Sequence, residues 1–92
     1  MTDVDWPSEK DQELRGEYGF GFDRVVAAVA SGLLLDDRAH PNAERYRHQR
    51  QLIVNLDNHA WVVPYVEDEG IIFLKTMFPS QKATKEYLGR VP

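Results

Sequence analysis

The segment Arg45-Tyr46-Arg47-His48-Gln49-Arg50 interleaves three guanidinium groups with a phenol and an imidazole. A guanidinium is a planar fork that makes paired, charged hydrogen bonds to phosphate oxygens, a geometry an ammonium does not offer. Cleavage of an RNA phosphodiester without a metal needs few parts. A base must take the 2′-hydroxyl proton, a cation must neutralise the non-bridging oxygens, and a donor must protonate the leaving 5′-oxygen. His40 and His48 are the proton-transfer candidates, and Arg45, Arg47 and Arg50 surround the expected position of the phosphate. Lys75 is the odd residue on an otherwise apolar strand face. Lys82 and Lys85, three apart on a helix, share one face and would steer RNA with it. Plainer uses stand beside these. His40, next to Pro41-Asn42, can fix a loop, Lys75 can snorkel from a strand end, and Tyr87 can be core.

Other chemistries find less material. The chain has no cysteine, so thiolate nucleophiles, thiolate metal sites and disulfides are excluded. Ser8 and Ser80 fall at helix-start positions and Ser31 near a helix end, which are capping places rather than nucleophile places. His40, His48 and His59 have no metal-ligand spacing, and the glycines form no phosphate-cradling loop, so neither metal nor cofactor is expected.

The elements that must hold the site follow from periodicity. Pro7-Ser8 opens a polar helix over about 8–17, with Asp11 where a capping-box acid would sit, and Gly19-Phe20-Gly21 breaks it. Phe22, Val25, Val26, Val29 and Leu33 make one apolar stripe of a second helix, ended by Gly32. Leu33-Leu34-Leu35 reads as a short buried strand, and Ala39–Arg50 as a loop. Alternation predicts strands at about 48–57, 60–66 and 70–78, joined at Asp57-Asn58 and at Glu67-Asp68-Glu69-Gly70. Arg45 and Arg47, if extended, would face one way and Arg50 the other. Pro64 cannot donate to a ladder, which puts an edge or a bulge there. Ser80 caps a final helix packed through Ala83, Tyr87 and Leu88. The class is α+β: two N-terminal helices, a three- to four-stranded antiparallel sheet and a C-terminal helix.

The chain of 92 residues, 42% hydrophobic and 28% charged, suits one globular domain over 1–92 with its ordered core at about 6–88. Neither a membrane span nor a signal peptide is legible, so a cytoplasmic protein is expected. The net charge of −4 argues against indiscriminate nucleic-acid binding. It is unevenly spread, however: residues 40–52 and 73–92 are basic on balance while the rest is acidic, and folding could join the two basic segments into a patch.

The ordered set of motifs resembles the BrnT-like toxins of bacterial type II toxin–antitoxin systems, small relatives of the RelE ribonuclease group. Trp6, Lys10, Gly19 and Phe22 match the family's opening residues in position, with Tyr18 where a His is usual. Glu44-Arg45-Tyr46-Arg47 matches the central segment, and Ser80-Gln81-Lys82-Ala83-Thr84-Lys85-Glu86 matches the start of the last helix in register. The resemblance covers most of residues 6–88. It implies an α+β endoribonuclease that cuts messenger RNA and is silenced by a cognate antitoxin. It also implies a site containing Arg45 or Arg47, Ser80, Lys82 and Lys85.

Taken together, the expectation is a metal-independent endoribonuclease toxin. Arg47, His48, Lys82 and His40 are its catalytic candidates, and Arg45, Arg50, Lys75, Ser80 and Lys85 contact RNA. Its assembly would be a homodimer or a toxin–antitoxin hetero-oligomer. The rival is a non-catalytic interaction module, or an inactive toxin-like protein, docking through Trp61, Tyr65 and Phe78.

Overall fold

Strand alternation and turn chemistry dictate a sheet with a helical layer on each side. The computed structural model describes residues 3–89. Along them run β1 (Asp3–Asp5), α1 (Ser8–Tyr18), α2 (Phe22–Ala30), β2 (Leu34–Ala39), β3 (Gln49–Leu56), β4 (His59–Asp68), β5 (Ile71–Leu74), β6 (Phe78–Pro79) and α3 (Gln81–Leu88). The α+β class is as expected, but the sheet is larger and mixed. Its order is β1-β5-β4-β3-β2, with β6 pairing β4, and β1 runs parallel to β5 while the other pairs are antiparallel. Three exposed residues, Asp3, Val4 and Asp5, carry too little apolar pattern to announce β1.

Both hairpins turn on consecutive left-handed residues, Asp57-Asn58 (φ 54° and 66°) and Glu69-Gly70 (φ 50° and 80°). Such pairs match the right-handed twist of the strands they join. The second turn is therefore shorter than expected, because β4 continues through Asp68. Pro64 pairs with Gln51 in β3, and its carbonyl accepts from Lys75 N at 2.8 Å. A strand residue's nitrogen and carbonyl face the same neighbour, so the missing N–H falls at the break between β5 and β6.

The two faces of the sheet bury different cores. Leu52, Val54 and Leu56 of β3 and Trp61, Val63 and Tyr65 of β4 face Leu14 of α1 and Phe22, Val25 and Ala28 of α2. Ile53, Ala60 and Val62 face Ala83 and Tyr87 of α3. Tyr18 and Phe20 meet the Trp61 ring edge-on, with centroids 4.9 and 5.2 Å away. Trp61 is only 8% exposed and Tyr65 3%, so neither is available for the docking contact that was expected of them; Phe78, at 41%, is. Leu33 and Leu34, expected in a buried strand, are about as exposed as Phe78. They lie where α2 has ended and β2 is the sheet's outer strand, so no layer covers them. Leu33 does complete the helix stop: its N–H reaches Ala28 O across Gly32, which has φ 84°.

Asp11 joins the first two helices. It caps no turn of α1. Its carboxylate instead accepts from Phe22 N and from Arg15 Nε, each at 2.8 Å, while Arg15 also reaches Asp23 at 2.9 Å. Gly21 permits this approach, since a Cβ there would collide with the Asp11 carboxylate. No helix among the described residues is long and apolar enough to cross a membrane.

Candidate functional site

Asp36 and Asp37 are consecutive in β2, so they point to opposite faces of the sheet. On the α3 face, Tyr87 donates its hydroxyl to Asp36 Oδ2 at 2.6 Å. Arg38, on the same face, donates from Nε to Gln51 Oε1 at 3.1 Å and from Nη1 to the Tyr87 hydroxyl at 3.3 Å, and lies 3.5 Å from the Glu86 carboxylate. The hydrogen bond from Tyr87 is the main reason that Asp36 sits below the ordinary carboxylate range. In return Asp36, with burial second, pushes the Tyr87 phenol up.

Beside this network opens a groove of about 420 Å³. Arg38 and Gln51 line it from β2 and β3, Ser80, Lys82 and Glu86 from α3 and its cap, and Phe78, Val62 and Ala83 supply apolar surface. Four chain segments converge there, and Ala39 and Pro41 bring the start of the 40–48 loop to its lining.

The start of α3 is stitched to β4. Ser80 Oγ accepts from Ala83 N at 3.0 Å, as expected of an N-cap. Ser80 N donates to Ala60 O, and Ala60 N donates to the hydroxyl of Thr84, which in turn donates to Ser80 O at 2.7 Å. The backbone that carries Lys82 is thus rigidly seated, through a buried threonine that sequence reasoning passed over.

The residues expected at the site divide. Ser80 and Lys82 line the groove. Lys85, one helical turn on from Lys82, is exposed on α3. Arg45, Arg47 and His48 lie in the loop before β3, as the loop reading of Ala39–Arg50 expects, so the one-face arrangement that Arg45 and Arg47 would have if extended does not arise. His40 stacks against Tyr46, with ring centroids 4.4 Å apart, and its Nδ1 accepts from Asn42 N at 2.9 Å. A ring so bonded carries its remaining proton at Nε2 when neutral. Arg50 is committed elsewhere. On the helix-paired face it donates to both the carboxylate and the main-chain carbonyl of Asp37, and Tyr65 donates to that same carboxylate at 2.8 Å. Lys75 borders a different depression, with Trp6, Asp5 and Phe73. Tyr18 packs in the aromatic cluster against Trp61.

Ion pairing sorts the cations. Lys10, Arg15, Arg24, Arg38 and Arg50 each pair with a carboxylate. Arg45, Arg47, Lys75, Lys82 and Lys85 make no such pair among the described residues. Four of these lie on the loop or the helix that border the groove. No three His, Asp or Glu side chains cluster as metal ligands among the described residues. Arg38 and Glu86 were not singled out from the sequence; only their convergence with Lys82 across the fold marks them. No family model, curated protein or solved structure matches the chain.

Proposed function

We propose that the chain is a toxin-like endoribonuclease acting on messenger RNA in the cytoplasm, its site the groove between β2, β3 and α3. The observation that carries this reading is the convergence of Arg38, Ser80, Lys82 and Glu86, beside a loop bearing the unpaired Arg45 and Arg47. In the reaction the 2′-oxygen attacks the adjacent phosphorus and the bond to the 5′-oxygen breaks, leaving a 2′,3′-cyclic phosphate and a 5′-hydroxyl. Lys82 and Arg47 neutralise the charge that builds on the phosphate. Glu86 accepts the 2′-hydroxyl proton, and His40 or His48 on the adjoining loop returns one to the leaving oxygen. A cognate antitoxin protein would silence the activity by covering the groove, in a toxin–antitoxin hetero-oligomer or on a homodimer.

The test is induction of the protein in bacteria, with growth followed and RNA mapped for new 5′ ends, against the double variant Arg47→Ala/Lys82→Ala. New ends and growth arrest with the wild type only are expected. Cleavage by a well-folded double variant would remove the site assignment, and intact RNA beside abundant wild-type protein would remove the nuclease.

A second reading, a module that binds without cutting, draws on one observation: none of the three histidines lines the groove. Complex formation with a partner and unchanged RNA would favour it.

A further inference from the structure

The groove holds one side chain for which phosphate chemistry has no use. Phe78 pairs with Val62 across β6 and β4, lines the groove and leaves 41% of its surface in solvent. A single exposed aromatic ring is unremarkable by itself. Here it shares a concavity with a cation that has no carboxylate partner, Lys82, and with the guanidinium of Arg38. The groove volume, about 420 Å³, lies within the roughly 300–1,000 Å³ typical of ligand clefts. A ligand that suits such a lining has a flat apolar face and an anion a few ångströms away. One nucleotide of a single strand has both, a base to lie on the ring and a phosphate for the cations.

We infer that the groove is a single-stranded RNA subsite in which one unpaired base stacks on Phe78 while its phosphate meets Lys82 and Arg38. This rests on the ribonuclease reading and deepens it. Phe78 is then a positioning residue, one that selects single strands because a paired base has no free face to offer. Any of the four bases can stack, so the contact fixes register along the strand without reading sequence.

The experiment measures binding by fluorescence anisotropy, using a labelled 2′-O-methyl RNA oligonucleotide that lacks the attacking hydroxyl. Single-stranded and duplex forms are compared for the wild type, Phe78→Ala, Phe78→Trp and Lys82→Ala, each confirmed as folded by thermal melting. The wild type should prefer the single strand. Phe78→Ala should weaken it roughly tenfold, the scale of one lost stacking contact, with the salt dependence unchanged. Phe78→Trp should restore affinity, and Lys82→Ala should reduce the slope of log affinity against log salt by about 0.7. Wild-type affinity in Phe78→Ala, a preference for duplex, or no binding by the wild type would each overturn the subsite. Cleavage of unmodified RNA is scored in parallel. Stacking without cleavage removes the nuclease and leaves the subsite, while cleavage with an indifferent Phe78→Ala removes the subsite and leaves the nuclease.

Discussion

The hydroxyl of Tyr87 lies 2.6 Å from Asp36, and the neighbouring Asp37 takes the hydroxyl of Tyr65 on the other face of the sheet. One carboxylate pair on the outermost long strand thereby ties β2 to the helix on one side and to the central strand on the other. Arg38 and Arg50 complete the two networks. Arg50 also occupies the Asp37 carbonyl, and a charged group there discourages another chain from adding to β2. The acidic dipeptide is a structural junction.

That junction predicts alkaline sensitivity. Tyr87 is pushed above its ordinary value of 10.0, first by the Asp36 carboxylate and then by burial. A group whose folded value is raised contributes stability in full below the unfolded value, and loses it as pH rises through the folded one. Tyr65 is raised as well, with burial first among its causes and Asp37 next. The melting temperature should therefore fall above pH 10. In Tyr87→Phe the melting temperature at neutral pH should be lower and the alkaline fall shallower. An alkaline limb identical to the wild type's would show that the hydrogen bond to Asp36 does not form.

On the acid side Asp36, also held low, is joined by a second carboxylate. Asp11 is held below its ordinary 3.8, chiefly by the hydrogen bond from Arg15 and further by the N–H of Phe22. The folded value is depressed, so this contribution is present above the unfolded value and is lost as pH falls through the folded one. Asp11→Ala should cost about 1 kcal/mol at neutral pH, the usual value of a lost cap at a helix start. Asp11→Asn keeps an acceptor for Phe22 N and should lose less. Equal losses in chemical denaturation would mean that the ion pair with Arg15, and not the cap on α2, carries the effect.

These networks mark where sequence reading stops. Alternation located β3 and β4 closely, because the side-chain period of two survives any tertiary arrangement, and Asp57-Asn58 marks its own turn. What the pattern does not carry is which elements lie at an edge. Leu33 and Leu34 look like core until α2 proves to end before them, whereas the polar, aperiodic stretch that holds Arg45 and Arg47 reads as a loop and is one. Trp61 and Tyr65 suit a docking surface by residue type alone, but their stripe points inward, where Tyr18 and Phe20 meet Trp61. At the site, Ser80 and Lys82 were legible because a cap and the residue two beyond it are local. Arg38 and Glu86 were not, since the distance between them is set only by packing α3 on the sheet.

The second hairpin leaves room for improvement. Glu69 stands at φ 50° beside Gly70 at 80°. A glutamate has no local hydrogen bond to offset the left-handed conformation, whereas Asn-Gly is the favoured pair for this turn. Glu69→Asn should stabilise the protein by about 0.5 kcal/mol, or a rise of about 2–4 °C in Tm for a domain of this size. An unchanged or lower Tm would indicate that the turn relaxes at no cost to the sheet.

Arg38 and Lys82 line the same groove, and their removal should affect stability very differently. Arg38 is embedded: it is the hydrogen-bond partner of Gln51, which is only 6% exposed, and it also meets Tyr87 and Glu86. Arg38→Ala strands the Gln51 carbonyl without that donor and should destabilise the fold by about 1–3 kcal/mol. Lys82 is exposed on the first turn of α3 and has no carboxylate partner, so Lys82→Ala should change stability by less than about 0.5 kcal/mol. Urea titration of the two variants checks the contrast. If it holds, lost RNA cleavage or binding in Lys82→Ala reports on the groove itself, and loss in Arg38→Ala must first be corrected for the unfolded fraction. If Lys82→Ala unfolds as readily as Arg38→Ala, the ammonium is part of the junction between α3 and the sheet, and it is not free to meet a phosphate.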